Sequence, residues 1–507
     1  MASIFRTSKN STHKSKCFSL GKPEAESETS FEDELSLKNL FVDEMNIIES
    51  INRGSFIVTG RKGTGKSAIK SYITLNSYPI EKYVRSMELY PEIIKNDVLK
   101  QEIPDVRLRI NIMCRWCIIT AIIKLILETE EGRGIPEIRN LEKLRTKYFD
   151  LFNLENMVRF SAISKYTMSV NLLKGVLGGQ VSKEVVRDDS KPQPFYHFLD
   201  PLYAVVGKIL SMEIFKDYDF KLLVDNLDIS YDLYNTDDCE TLITLIRTAR
   251  DFNNNPLIRT HAQVIIFLRD DVKRCLEGMA SDSSKIFGSY ELPLNWYEGK
   301  DIAETKLKLR KFVNRRIALN FEAINAAYYE ADPWQSYVAE NLIEDHQRGI
   351  FRNILDYTFF RPRDLINLFL PLSGADYTLP LKRNDIKTLL KQYSDRVYGE
   401  LKDELKTKYP EKDKNLVLDF IYKISQKDSN YSDGIPYSVK KKLLPDGLSD
   451  SVIRDLFDYD VLGLIDNNGD KHFHCRGSQP TIPLEQCKFT MTRIMKLYFD
   501  RSLTIRL

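Results

Sequence analysis

An excess of charge of either sign is the first thing this chain lacks. It carries 74 Lys and Arg against 72 Asp and Glu, a formal net charge of +2, so no bulk basicity argues for nucleic acid. Cysteine is sparse: seven residues, at 17, 114, 117, 239, 275, 475 and 487. Their odd number and scatter supply no disulfide framework and fit a reducing compartment. Cys114 and Cys117 form one C-x-x-C inside the apolar stretch CRWCIITAIIKLIL. Without a second ligand pair, that spacing predicts buried thiols rather than zinc. Long hydrophobic runs are scarce as well. Arg115 and Lys124 interrupt the most apolar one, and a helix over 114–129 is too short to span a bilayer. No apolar h-region opens the chain, so the expectation is a cytoplasmic protein with no secretion signal and no membrane partner. What is present is ordinary for a globular protein, 43% apolar and 29% charged. At 507 residues, two or three domains are expected.

One stretch organises the rest: residues 55–73, SFIVTGRKGTGKSAIKSYI. Phe56 to Val58 reads as a strand, and Gly60 to Ser67 match G-x-x-x-x-G-K-[ST] at every fixed position. Ala68, Ile69, Tyr72 and Ile73 follow at helical spacing. Strand, glycine loop, helix is the context this motif requires. Glycines let the loop turn its amides inward, and the helix N-terminus adds positive partial charge. Gly60, Arg61, Lys62, Gly63, Thr64, Gly65, Lys66, Ser67 and Ala68 are therefore expected to cradle phosphates. Lys66 would reach the β- and γ-phosphates and Ser67 would hold Mg²⁺. The cofactors expected are ATP and Mg²⁺.

FKLLVDNLD supplies the second signal. Phe220 to Val224 reads as a buried strand beside the phosphate loop, with Asp225 at its tip holding Mg²⁺ through water. Asn226 stands where many ATPases of this kind carry glutamate. Asp228 either polarises the attacking water or caps a turn. A third strand, Val264 to Leu268, ends in Arg269, which senses the γ-phosphate or pairs with Asp270 or Asp271. Arg247, Arg250 and Arg259 are arginine-finger candidates toward a neighbouring subunit, or solvated surface charges.

Four regions follow from composition and periodicity. Residues 1–34 are polar and acidic and predict a mobile arm. Residues 35–295 read as an α/β core with a parallel sheet. Within it, a helix from Leu35 stops at Gly54, and Phe41 and Val42 wall the adenine pocket or simply join the core. A strand at 81–89, a helix at 195–214 and a helix at 237–253 complete the core. Residues 130–195 form an insertion with a hairpin at Gly178-Gly179. Residues 296–400 read as a helical lid, in which Pro362 and Asp364 suit a helix start and leave Arg361 and Arg363 to reach the nucleotide. Residues 401–507 give three helices and a hairpin turning at Asn468-Gly469, the order of a winged helix, then a last amphipathic helix over 487–503.

The ordered set GRKGTGKSAI, LLVDNLD, VIIFLRDD, LPLNW before a helix with RRI, and RPRDLINLF resembles a poorly characterised bacterial family. Its members are P-loop ATPases in the AAA+/STAND neighbourhood, organised much like origin-recognition ATPases with a winged helix after the lid. The resemblance covers roughly residues 38–480. It implies a regulatory switch rather than a metabolic enzyme, with relatives in antiphage defence. The insertion and Asn226 depart from that pattern.

Two functions compete. One is a slow ATPase switch that oligomerises and controls a separate effector protein, since no protease triad, nuclease-like acid cluster or deaminase motif is visible. The other is a DNA-binding initiator or loader. Against it, the third helix of the winged helix carries Asp450, Asp455, Asp458 and Asp460 with Arg454 alone. Only Lys440 to Lys442 on the preceding helix suit phosphates. A kinase-like phosphotransferase lacks a recognisable acceptor site.

Overall fold

The computed structural model describes residues 13–14, 18–29, 36–75, 83–88, 103–129, 134–148, 152, 167–168, 193–227, 235–339, 349–428, 430–431, 433–477, 483–505 and 507. The hairpin expected at Gly178-Gly179, like Asp228, lies outside them. Two compact units emerge. One comprises Met45–Lys62 and Lys66–Leu294; the other comprises Met1–Glu44, Gly63–Gly65 and Asn295–Leu507.

The first unit is an α/β layer structure. Its strands are β1 (Ile57–Thr59), β2 (Tyr83–Glu88), β3 (Tyr218–Val224), β4 (Ala262–Leu268) and β5 (Glu291–Pro293). They run in the order β2-β3-β4-β1-β5, and every pairing is parallel. β1, β3 and β4 are buried at each position, as near-continuous apolar strands must be when helices cover both faces. The order corrects one expectation: β4 stands between β1 and the strand carrying Asp225. Ile57 pairs with Ile266, and Val224 pairs with the same Ile266 from the other side. Chain order carries no information about which parallel strand takes the central place, because crossover connections decide it.

The helices of this unit are α1 (Lys66–Thr74), α2 (Val106–Leu127), α3 (Leu199–Leu210), α4 (Thr236–Asn253) and α5 (Asp270–Met279). α2 begins eight residues before the expected start, with Asp105 accepting from the Leu108 amide at 2.9 Å. Its early polar residues are absorbed by neighbours. Arg109 donates to the Ile103 carbonyl at 2.9 Å, and Arg107 pairs with Glu240 at 2.8 Å. At 22 residues α2 is long and apolar enough to cross a bilayer, so the length argument fails. Most of its apolar side chains are instead buried within the unit, with Trp116, Cys117 and Ile118 fully enclosed. Burial pushes the Cys117 thiol up to about 12 and raises Cys114 as well. Among the described residues no cluster of three or more metal-ligating side chains exists.

The helix expected from Leu35 to Gly54 is broken into Leu37–Leu40 and Ile47–Asn52. Asn46 between them takes a left-handed φ of 52°, a conformation asparagine adopts more readily than most residues. Gly54, at φ 110°, ends the second piece as the sequence predicts.

In the second unit the supposed arm is anchored. Phe18 and Leu20 are buried, and the Phe18 ring meets Phe321 edge-on at 4.7 Å. Ser19 and Asn320 exchange two hydrogen bonds of 2.8 Å. Glu28, 2% exposed, pairs with the buried Arg316 at 3.0 Å. His13–Lys14 pairs antiparallel with Thr378–Leu379. A polar composition hid a few well-spaced anchors. Helices α6 (Lys308–Ala323), α7 (Ile350–Leu355), α8 (Pro362–Phe369) and α9 (Arg383–Lys408) form the middle of this unit.

Three helices follow, α10 (Glu411–Asp428), α11 (Tyr437–Leu443) and α12 (Ser451–Asp458). Then come β6 (Leu462–Ile465), β7 (Lys471–His472), β8 (Lys488–Met491) and α13 (Arg493–Phe499). β7-β6-β8 is an antiparallel sheet, and Gly469 turns its hairpin at φ 86°. The helix expected over 487–503 is therefore strand first and helix only from Arg493. Phe489 and Met491 alternate onto the core and pair with Leu464 and Leu462, a period of two that a helical reading overrode.

Lys440 is also reassigned. It is fully buried, its ammonium 3.8 Å from the Tyr437 ring centroid and 4.5 Å from that of Phe489, and its Nζ has no hydrogen-bond partner among the described residues. Burial lowers its pKa from 10.5 to about 8. The unfolded chain thus holds a proton there that the folded chain releases, so stability rises as pH climbs from about 8 through 10.5. Lys440→Met should stabilise the protein near neutral pH by about 1 kcal/mol, once screening and the ring contacts are allowed for. Urea unfolding at neutral and alkaline pH checks this: the gap should close toward alkaline pH, and a destabilised variant at neutral pH contradicts it.

Candidate nucleotide-binding site

β1 ends at Thr59, and the Gly60 amide donates to the Leu268 carbonyl at the end of β4, 3.2 Å away. The glycine loop thus leaves the carboxyl edge of a parallel sheet, where such folds place ligands. α1 starts at Lys66, so its first amides lie directly behind the loop. Lys66 Nζ donates to the Gly60 and Arg61 carbonyls at 2.6 and 3.1 Å, curling over the loop it belongs to. Gly65, at φ 105°, has nothing within 4 Å of the position a Cβ would take. Ser67 and Ala68 are half-buried on the same first turn.

Asp225 follows β3 and is 7% exposed. Its carboxylate meets Lys70 Nζ at 3.1 Å, one helical turn beyond Lys66. The second signal of the sequence is therefore brought to the phosphate-loop helix, through a lysine that sequence reasoning did not single out. Asn226 has φ 60°. Asparagine tolerates the left-handed region better than glutamate does, which gives this departure from the usual pattern a backbone reason.

Arg269 leads into α5, but its guanidinium is held by Asp271, with Nε at 3.1 Å and Nη2 at 2.8 Å. Of its two expected roles, the ion pair is the one formed. Its neighbour Asp270 is the residue that faces the loop's cations. Burial pushes its carboxyl up, while Lys66, Arg61, Arg274 and Lys273 pull it back. At the end of β1, Thr59 donates to Glu291, whose two oxygens accept from Lys273 at 2.7 Å. Among the finger candidates, Arg247 pairs with Asp282 and Arg250 with Asp251, while Arg259 is exposed.

The loop's centre, Gly63–Gly65, groups with the second unit. There Trp296 Nε1 donates to the Thr64 carbonyl at 2.8 Å. The Arg363 amide points to the Gly63 carbonyl at 3.4 Å, and a Cβ on Gly63 would meet the Arg363 side chain at 3.0 Å. No family model, curated protein or solved structure matches this chain.

The two junction arginines separate. Arg363 lies against the loop, with Nε donating to the Pro23 carbonyl at 3.2 Å. Arg361, expected at the nucleotide, turns inward instead and is 8% exposed. Its Nη2 meets Asp364 at 2.7 Å, and Asp364 also accepts from the Phe359 and Arg361 amides at 3.0 Å. One buried carboxylate caps α8 and neutralises Arg361, so that arginine is structural. Phe41 and Val42 are half-buried in the extended stretch after Leu40.

The donor set fits a hard, largely hydrated cation. Ser67 offers a hydroxyl and Asp225 a carboxylate, and Mg²⁺ draws its other ligands from phosphate and water. Lys70 occupies one oxygen of Asp225 and leaves the other for such contacts. Trp296 and Asp270 stand inside the LPLNW and FLRDD stretches but were assigned no role at the loop, whereas Lys70 was legible as the residue four beyond Lys66.

Proposed function

We propose that this chain is a Mg·ATP-dependent switch: a P-loop ATPase core of the AAA+/STAND kind, followed by a helical lid and a winged helix. One observation carries the reading. A complete GRKGTGKS loop joins a buried inner strand to the helix whose Lys70 meets Asp225. The loop amides, Lys66 and the α1 N-terminus bind phosphates; Ser67 and Asp225 hold the metal, which neutralises charge on the phosphates. Hydrolysis is slow, because Asn226 carries an amide that cannot take a proton from water. A slow cycle suits a regulator, and the nucleotide biases assembly of the chain with itself and with an effector protein, in bacterial antiviral defence.

A duplex-reading role is disfavoured by α12. Asp455 is held by Lys408 and Tyr409, Asp450 accepts from Tyr437, and Asp460 is buried. Lys440, one of three lysines suited to phosphates, is enclosed. The test is light scattering with and without ATP, beside steady-state turnover and duplex titration. The expected result is a nucleotide-linked change in mass with weak duplex binding, roughly 10⁻⁴ to 10⁻⁶ M at about 150 mM salt. Turnover on the order of hundreds per second would contradict the switch. Nanomolar, sequence-selective binding lost in Arg454→Ala would establish a DNA reader instead.

A further inference from the structure

Within the second unit, four segments, the start of α6 with Leu307 and Leu309 among them, converge on a small pocket of about 30 Å³. The segment after β5 brings Trp296, Tyr297 and Lys300. α7 and the turn after it bring Arg352, Asp356 and Phe360, and the turn after β7 brings Arg476. Aromatic faces and cations thus share one cavity.

Arg476 has donors to spare. Its Nη2 reaches Asp356 only at 3.4 Å, and its Nε is shut away from solvent with no hydrogen-bond partner among the described residues. Asp356, with a side chain 3% exposed, already holds Arg493 on its other oxygen at 2.8 Å. The Arg476 guanidinium lies 5.7 Å from the Tyr297 and Phe360 ring centroids and 4.9 Å from that of Phe473. Arg352 donates to the Gly299 and Ile302 carbonyls, neutral acceptors, and makes no ion pair among the described residues. Lys300 is exposed. The lining therefore sets three cations against the carboxylates of Glu298 and Asp356, and Arg493 answers Asp356 from outside it.

Phe360 adds an independent sign. It holds φ 54°, a left-handed conformation that is costly for a bulky residue and concentrates at ligand clamps. In it, the Phe360 ring meets Tyr297 edge-on at 5.0 Å, forming part of the pocket wall. The room of about 30 Å³, roughly two to three times what one water requires, suits an oxyanion head, so a larger body must lie along the rings.

We propose that this pocket binds a phosphate monoester of an aromatic or heteroaromatic body, its oxyanion on Arg476 and Arg352 and its ring on Trp296 and Tyr297. Guanidinium groups hold phosphate through charge-assisted hydrogen bonds, and the ring faces accept a planar partner by stacking. No residue of the phosphate loop lines the pocket, and the proposal does not rest on the ATPase reading. Binding draws Arg476 from Asp356 and is reported at Trp296, whose indole also holds the Thr64 carbonyl.

The experiment uses full-length Lys66→Ala protein, which removes the loop lysine from any signal, at fixed ionic strength. Of the three tryptophans, Trp116 and Trp334 are fully buried, so fluorescence changes report Trp296. Phenyl phosphate should give a saturable change, half-complete below about 1 mM, accompanied by a rise in melting temperature. Arg476→Gln should weaken it about tenfold or more, and Arg352→Gln serves if that variant does not fold. In Trp296→Phe the fluorescence signal should vanish while the thermal shift persists. Inorganic phosphate, lacking the ring, should bind less tightly than phenyl phosphate. No saturation with phenyl phosphate, equal affinity for inorganic phosphate, or unchanged affinity in both arginine variants overturns the proposal. Each leaves the ATPase reading untouched.

Discussion

Lys66→Ala should weaken ATP binding by about ten- to a hundredfold, the worth of hydrogen bonds from a charged donor. Turnover should fall by about 10²–10³, as when one preorganised electrostatic contact is lost. Lys66 Nζ lies on the Gly60 and Arg61 carbonyls, poised over a loop whose amides alone would carry the phosphates in the variant. Stability should change little, because the lysine is only half-buried and the carbonyls it leaves can turn to water. Isothermal titration with Mg·ATP, beside a melting curve without nucleotide, separates the two effects. Unchanged binding and hydrolysis in a folded Lys66→Ala protein would remove the basis of the proposed function.

The second large effect concerns the N-terminal segment. Arg316→Ala should destabilise the protein by about 3–5 kcal/mol, because it strands the buried Glu28 carboxylate without its cation. The pair is bidentate, with Arg316 Nη1 and Nη2 at 3.0 and 3.2 Å from the two Glu28 oxygens, and Nη1 also holds the Leu20 carbonyl at 2.7 Å. Gly21 belongs to the same arrangement. It takes φ 107°, and a Cβ there would lie 2.0 Å from both Arg316 Nη1 and Glu28 Oε1. Denaturant unfolding gives the magnitude, and limited proteolysis should show cleavage before Ser36 far earlier in the variant. Glu28→Gln combined with Arg316→Met should cost less than the sum of the single changes. Strict additivity, or an Arg316→Ala protein as stable as the parent, would mean that segment is not held by this pair.

These two predictions differ in where they come from. The first was legible in the chain alone. The spacing of Gly60, Gly65, Lys66 and Ser67 is local, and local spacing between a strand and a helix is enough to orient amides and a lysine. The β3 and β4 runs were legible for the same reason: Phe220–Val224 and Val264–Leu268 are mostly apolar, and Asp225 and Arg269 come at their ends. The second was invisible. Phe18, Leu20 and Glu28 sit in a polar stretch, and their partners Phe321, Asn320 and Arg316 are about three hundred residues away. Composition over a window averages such anchors away.

By itself, then, the sequence determined what short-range chemistry can specify: the phosphate-loop pattern, the buried strands, the helix stop at Gly54 and the hairpin turn at Gly469. Tertiary structure alone decided which side chains those elements bring together. It placed β4 between β1 and β3, gave Asp225 to Lys70, and turned Arg361 onto Asp364 while Arg363 met the loop. It also enclosed Lys440 and made 488–491 a strand rather than a helix. The reason is one of range. A backbone conformation depends on a few neighbouring residues, whereas an ion pair or a strand order depends on which distant groups must be buried together, and a buried charge accepts only a partner that the whole fold delivers.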